Sequence, residues 1–250
     1  MRSTKVEGII LKYKNYDEAS RLFTLFTKER GKIKAVAKGV RRITSKRSGS
    51  LDLMSHVRVS LVETRGLPLI TEVALVDSFD ALKGNLKDFS LSFSVLEILD
   101  KFFEEEDLNE EAFMLTLGLL RRAGRLTGLK RELSLAYFQF KLLALLGLDP
   151  ITSFCVKCMK DIDGHSEKVV FNPSEGGVEC PYCSGGVKGL SLLNGTLKLI
   201  SAIKTTQFDN LAFAVISPGN VYELEEMIKV HIEASLNEKL VASKILVGLK

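Results

Sequence analysis

Through the first eighty residues apolar positions recur in short runs, each broken off by a turn-forming cluster. The runs Val6 to Tyr13, Arg21 to Thr27, Lys32 to Lys38, His56 to Glu63 and Leu69 to Val76 are rich in Val, Ile, Leu, Phe and Thr, and are punctuated by NYDE, KERG, KGVRR and TRGLP. Each reads as a strand. Five strands with no helix between them fit a small barrel, and a five-stranded Greek-key barrel of the OB type is the economical choice because closure removes exposed edges. A small open sheet or an SH3-like barrel also fits the pattern. From Ala81 the period lengthens: Phe89, Phe93, Leu96 and Leu99 fall on one helical stripe, and Asn109 before Glu110 and Glu111 is an N-cap signal. Further helices are predicted over about Lys130 to Leu146, Gly195 to Thr205 and Val221 to Leu246. The expected architecture is α+β and multidomain, with an OB-type barrel over 1–80. A helical domain is expected over 81–250, interrupted at about 151–190.

The interruption carries four cysteines. Cys155 and Cys158 (CVKC), then Cys180 and Cys183 (CPYC), give two C-x-x-C pairs separated by twenty-one residues. Two residues between cysteines let a tight turn aim both thiolates at one ion, and two such turns complete a tetrahedron, so the pattern predicts one structural zinc ion. Two redox dithiols would not explain the doubled spacing. HSE at 165–167 ahead of CPYC invites comparison with the H-x-E…P-C-x-x-C signature of zinc deaminases. Here, however, proline follows the first cysteine, and a deaminase site would strand Cys155 and Cys158. Four sulfur ligands also leave no open position for a water, and His165 reads as a loop residue.

Charge changes the picture of the first part. Residues 1–80 carry a net charge of +7 and residues 81–250 one of −3, out of +4 for the whole chain. Most of the excess lies in GKIKAVAKGVRRITSKRS, residues 31–48, which contains no acid. As a strand, its alternation sends Ile33, Ala35 and Ala37 to one face and Lys32, Lys34, Val36 and Lys38 to the other; the loop adds Arg41, Arg42, Lys46 and Arg47. An ordinary solvated face mixes signs. These seven residues are therefore candidate phosphate contacts for nucleic acid. Phe23 and Phe26 have opposite parity, so at least one belongs to a core, and Tyr16 in the turn is the best candidate for base stacking.

The chain lacks the GxxxxGK[ST], G-x-S-x-G and H-E-x-x-H patterns, and His56 and His231 fall in structural settings. Nothing argues for an enzyme. No apolar run approaches the roughly 20 residues of a membrane span. Paired cysteines without a secretory leader pattern indicate a reducing cytoplasm.

The stretch from Gly8 to Glu63, with its opening Gly-Ile-Ile-Leu, Glu18 before RLFTLFT, the KERGKI turn, AKGVRR and Ser45-Lys46, resembles the N-terminal OB domain of the RecO family of bacterial recombination mediators. The order barrel, helical domain, four-cysteine section and final LVASKILVGL agrees as well. Ser45-Lys46 stands where the family often has Ser-Arg, and Ser243-Lys244 is a second such pair. Charge is kept in both, but bidentate phosphate geometry is not. The resemblance implies a non-enzymatic protein of the bacterial cytoplasm, associated with the nucleoid during repair. Such a protein binds single- and double-stranded DNA, anneals strands, and with RecR helps RecA replace the single-strand-binding protein SSB. It also implies that the helical domain receives the acidic C-terminal tail of SSB, for which Arg121, Arg122, Arg125, Lys130 and Arg131, set among leucines, have the required chemistry. The alternative class is a zinc-dependent, deaminase-like enzyme acting on nucleic acid.

Overall fold

A computed structural model describes residues 3–45, 47–84, 86–162, 168–185 and 189–241. The five expected strands form as β1 (Ser3–Asn15), β2 (Arg21–Thr27), β3 (Gly31–Ala37), β4 (His56–Val62) and β5 (Leu69–Asp77). They close into a barrel of neighbour order β1-β2-β3-β5-β4, with β4 pairing back onto β1. The open-sheet alternative is thereby set aside. Every pairing is antiparallel except β3 with β5, a parallel seam held at one register pair, Val36 with Leu69, and by the Val36 N–H donating to the Pro68 carbonyl at 2.9 Å.

Alternation decides what each strand shows to either side. Ile10, Phe23, Leu25, Ile33, Ala35 and Val59 fill the barrel. Phe26 has the opposite parity and is also fully buried, because its outer face is covered. The cover comes from α2 (Leu86–Phe102) and α3 (Glu110–Ala123), which follow the short α1 (Asp80–Lys83). Phe26 meets Phe103 at 4.7 Å and Phe113 at 6.3 Å between ring centroids. Asn109 caps α3 as expected, its side-chain oxygen accepting from the Ala112 N–H at 2.8 Å. The α2–α3 connection lies so close to the β2–β3 turn that a Cβ on Gly31, at φ +61°, would stand 2.0 Å from the Asp107 carbonyl oxygen. His56 is structural, its Nε2 set 2.8 Å from a Glu7 carboxylate oxygen; burial, outweighing that partner, holds its pKa below the usual 6.5.

The chain forms two compact units, residues 1–124 together with the stretch from Leu240, and residues 125–239. In the second, α4 (Gly128–Leu145), α5 (Asn194–Thr205) and α6 (Pro218–Leu236) accompany a three-stranded sheet of order β7-β6-β8, formed by β6 (Lys168–Asn172), β7 (Gly177–Glu179) and β8 (Leu190–Leu193). The last helix differs from the expected Val221 to Leu246. It starts three residues earlier, at Pro218, capped by Ser217, and Asn237 ends it in the left-handed conformation at φ 51°. Residues 242–250, which include Ser243 and Lys244, lie outside the described residues. His231 is structural too, its Nε2 set 2.7 Å from the Leu148 carbonyl oxygen.

Because Phe26 joins the barrel to α2 and α3, Phe26→Ala should destabilise the first unit by about 3–5 kcal/mol. Urea unfolding should show the loss as a shifted midpoint. A change below about 1 kcal/mol would mean that this packing contributes little.

Candidate metal centre and nucleic-acid interface

The two C-x-x-C turns are brought together by strand pairing. The Ile151 N–H donates to the Gly176 carbonyl and the Val178 N–H to the Ile151 carbonyl, both at 2.9 Å, while the Val156 N–H donates to the Val178 carbonyl at 3.0 Å. The segment leading into Cys155 thus lies along the strand leading into Cys180. Gly177 permits the approach, since a Cβ there would fall 2.5 Å from Val156 Cγ1. The four sulfurs of Cys155, Cys158, Cys180 and Cys183 all lie within 4.8 Å of one another. Cys158 and Cys180 are 3.8 Å apart, the edge of a tetrahedron with arms of about 2.3 Å. The Cys180 N–H points at Cys155 Sγ at 3.3 Å. Burial pushes the Cys155 thiol up, but backbone N–H groups of Cys158, Cys180 and Lys157 outweigh it and bring it down to about 6. Cys183, next to the Cys180, Cys158 and Cys155 sulfurs, is pushed up to about 12. Four thiols this close cannot all ionise against one another without a counter-charge, and a metal ion would supply one. The four cysteines can therefore hold one metal ion in a closed, sulfur-only shell. His165 lies outside the described residues.

The basic stretch separates into three environments. Lys32 and Lys34 do share the outer face of β3, but that face is the one covered by α2 and the α2–α3 connection. Lys32, its side chain only 12% exposed, donates to the Asp100 carbonyl oxygen at 2.6 Å and stands 3.7 Å from the Asp100 carboxylate. Lys34 pairs with Glu105, and Lys12 with Asp100. Arg47 does something else. Its guanidinium donates to the Ile70 carbonyl at 2.7 Å and the Lys38 carbonyl at 2.6 Å, stitching β5 to the end of β3 across the seam that has a single register pair.

Lys38, Arg41 and Arg42 are exposed, and among the described residues none of them is in an ion pair; Lys46 lies outside the described residues. Arg41 is seated by its backbone N–H to the Ala19 carbonyl at 2.9 Å and by its guanidinium to the Asp17 carbonyl at 3.0 Å. The turn after β3 is thereby tied to the β1–β2 hairpin. That hairpin brings further groups that the charge run did not reveal: exposed Lys14, Tyr16 at 57% exposure, and Arg21 stacked 4.5 Å over the Tyr13 ring. The Asp17 carboxylate is held below its usual range by the Ala19 N–H first and by Ser20 next, so it caps its own turn. Register could have exposed Arg21, since it pairs with Ala37 at the end of β3.

The Arg121–Arg131 stretch is divided between the two units. Arg121 and Arg122 end α3 in the first. Arg125, Lys130 and Arg131 belong to the second, where Arg131 Nε donates to the Leu126 carbonyl at 2.9 Å and Lys130 lies 4.8 Å over the Phe213 ring.

Two family patterns cover almost the entire chain. The pattern for the N-terminal part of recombination protein O matches residues 1–79, and that for its C-terminal part matches residues 84–244. The chain belongs to the RecO family. It is similar to the DNA repair protein RecO of Symbiobacterium thermophilum, 29% identical over 98% of this chain and 97% of the relative. The corresponding protein of Dehalococcoides mccartyi is 31% identical over 94% and 91%. That of Caldanaerobacter subterraneus subsp. tengcongensis is 28% identical over 98% and 99%. Within this chain the barrel and its basic rim fall in the N-terminal match, and all four cysteines in the C-terminal one.

If one ion closes the two turns, Cys180→Ser should lower metal content and thermal stability together, and wild-type protein should release metal on acidification as protons compete for the thiolates. Elemental analysis of protein prepared without chelator, showing no bound metal, would overturn this assignment.

Proposed function

We propose that this chain acts in DNA repair as a non-catalytic DNA-binding protein, holding the sugar-phosphate backbone on one rim of its barrel. The observation that carries the reading is the rim itself. Lys38, Arg41 and Arg42 stand exposed beside Lys14 and Tyr16, and no described acid pairs with these cations. Of the seven basic residues read from the sequence, Lys38, Arg41, Arg42 and, by position in the chain, Lys46 form the proposed contact. Lys32 and Lys34 would have to give up Asp100 and Glu105 to join them, and Arg47 would have to release the β3–β5 seam. The RecO relatives are named for DNA repair, which agrees with a phosphate-binding rim. Annealing of complementary strands, and loading of RecA on SSB-coated single strands together with RecR, are proposed on family membership. The acidic SSB tail is proposed to meet Arg125 and Lys130, the latter beside the apolar ring of Phe213.

The metal is proposed to be a single structural zinc ion, because a sulfur-only tetrahedral set is the ligand chemistry zinc favours. A deaminase-like reaction would need an open coordination position, and four sulfurs around one point leave none. Localisation in the bacterial cytoplasm is proposed; no described helix is long and apolar enough to cross a membrane.

Phosphate contact releases counterions, so log affinity falls against log salt by about 0.7 per contact on single strands. Arg41→Ala with Arg42→Ala should flatten that line by roughly 1 to 1.5 and weaken unrelated sequences alike. A folded double variant with wild-type affinity and slope would remove these arginines from the interface.

A further inference from the structure

Ile43 is fully exposed, at 103% of its reference accessible surface. It occupies the second position of a turn closed by the Ser45 N–H donating to the Arg42 carbonyl at 2.9 Å. Turn centres favour Gly, Pro, Asn, Asp and Ser, each for a backbone reason; β-branched, apolar Ile43 supplies none of these. An isolated exposed aliphatic residue needs no explanation by itself. This one directly follows Arg41 and Arg42, neither of which is in an ion pair among the described residues, on a turn that is firmly seated. Val40 and Leu51, on either side of the loop, are buried in the barrel core, Arg41 is tied to Ala19 and Asp17, and Arg47 clamps the loop to the carbonyls of Lys38 and Ile70. The fold thus holds an apolar tip in water directly after two positive charges.

We infer that Ile43 is a wedge that enters between neighbouring bases of the strand whose phosphates Arg41 and Arg42 hold; the inference rests on the DNA-binding reading above. Cations fix the backbone while an aliphatic side chain parts the stack, the combination by which proteins unstack base steps. Inserting the side chain removes its apolar surface from water, and the cost of parting bases is least where the strand is single. Tyr16 lies on the hairpin to which Arg41 is bonded, and its 57% exposed ring offers a face on which a displaced base can stack. The pair would turn a surface that follows phosphates into one that also distinguishes unpaired from stacked strands.

The test uses the full chain and a single-stranded oligonucleotide containing 2-aminopurine, whose fluorescence rises when its neighbours unstack. Wild-type protein should raise the signal on binding. Ile43→Ala should weaken binding about five- to tenfold and abolish the rise while leaving the salt slope unchanged, because no phosphate contact is lost. Ile43→Phe should restore both affinity and signal. An Ile43→Ala protein with wild-type affinity and an intact fluorescence rise overturns the wedge. If the Arg41/Arg42 double variant still shows its flattened slope in that case, only the wedge has failed; if its slope is also unchanged, the DNA reading of this rim has failed with it.

Discussion

The packing of Phe26 against Phe103 and Phe113 determines which side of the barrel can meet a partner. A strand buries alternate residues on opposite faces, so a barrel strand ordinarily shows polar groups outward. β2 instead puts a phenylalanine on its outer face, and α2 and α3 must cover it. Burying that ring contributes about 2–3 kcal/mol of hydrophobic free energy, more than the individual surface ion pairs around it, whose contributions are about 0–1 kcal/mol each. The aromatic contact therefore places the helices, and the charges accommodate to them. Lys32 and Lys34, on the same outer face of β3, find Asp100 and Glu105 opposite because the helices are there.

The rim where β1 turns into β2 and β3 leaves the barrel stays exposed. None of its cations is in an ion pair among the described residues, and the carboxylate in the hairpin turn, Asp17, accepts from the N–H groups of Ala19 and Ser20. Arg47 contributes to this rim as a structural member: two strong donations to carbonyl oxygens close a seam that strand pairing alone leaves with a single register pair. A guanidinium suits that task, since its planar fork reaches two carbonyls at once. The second unit solves a different problem. Its β6–β7 hairpin buries Val169, Phe171 and Val178, and the two cysteine turns that flank the hairpin in the chain bring four sulfurs within 4.8 Å of one another.

Strand positions and the cysteine pattern were legible in the sequence because each rests on local spacing. Period-two alternation is a property of a few residues, and C-x-x-C of four. The parity argument also sent Lys32 and Lys34 to a common face and gave Phe23 and Phe26 opposite sides. It could not say what lies across that face, because Asp100 and Glu105 are about seventy positions away along the chain. The use of Arg47 was hidden for the same reason, as carbonyl acceptors leave no trace in side-chain chemistry. The end of α6 was misread because apolar spacing continues past Asn237, whereas the backbone turns left-handed there. Lys14 and Arg21 escaped a search for dense charge because they join the rim through the register of β1 with β2, which only pairing reveals.

The central claim, that the uncovered rim and not the covered strand face meets DNA, is tested most directly by acetylating lysines with and without a single-stranded oligonucleotide and measuring protection residue by residue. DNA should protect Lys14 and Lys38 and leave Lys32 and Lys34 unchanged. Protection of Lys32 and Lys34, with Lys14 and Lys38 modified as freely as before, would contradict the account.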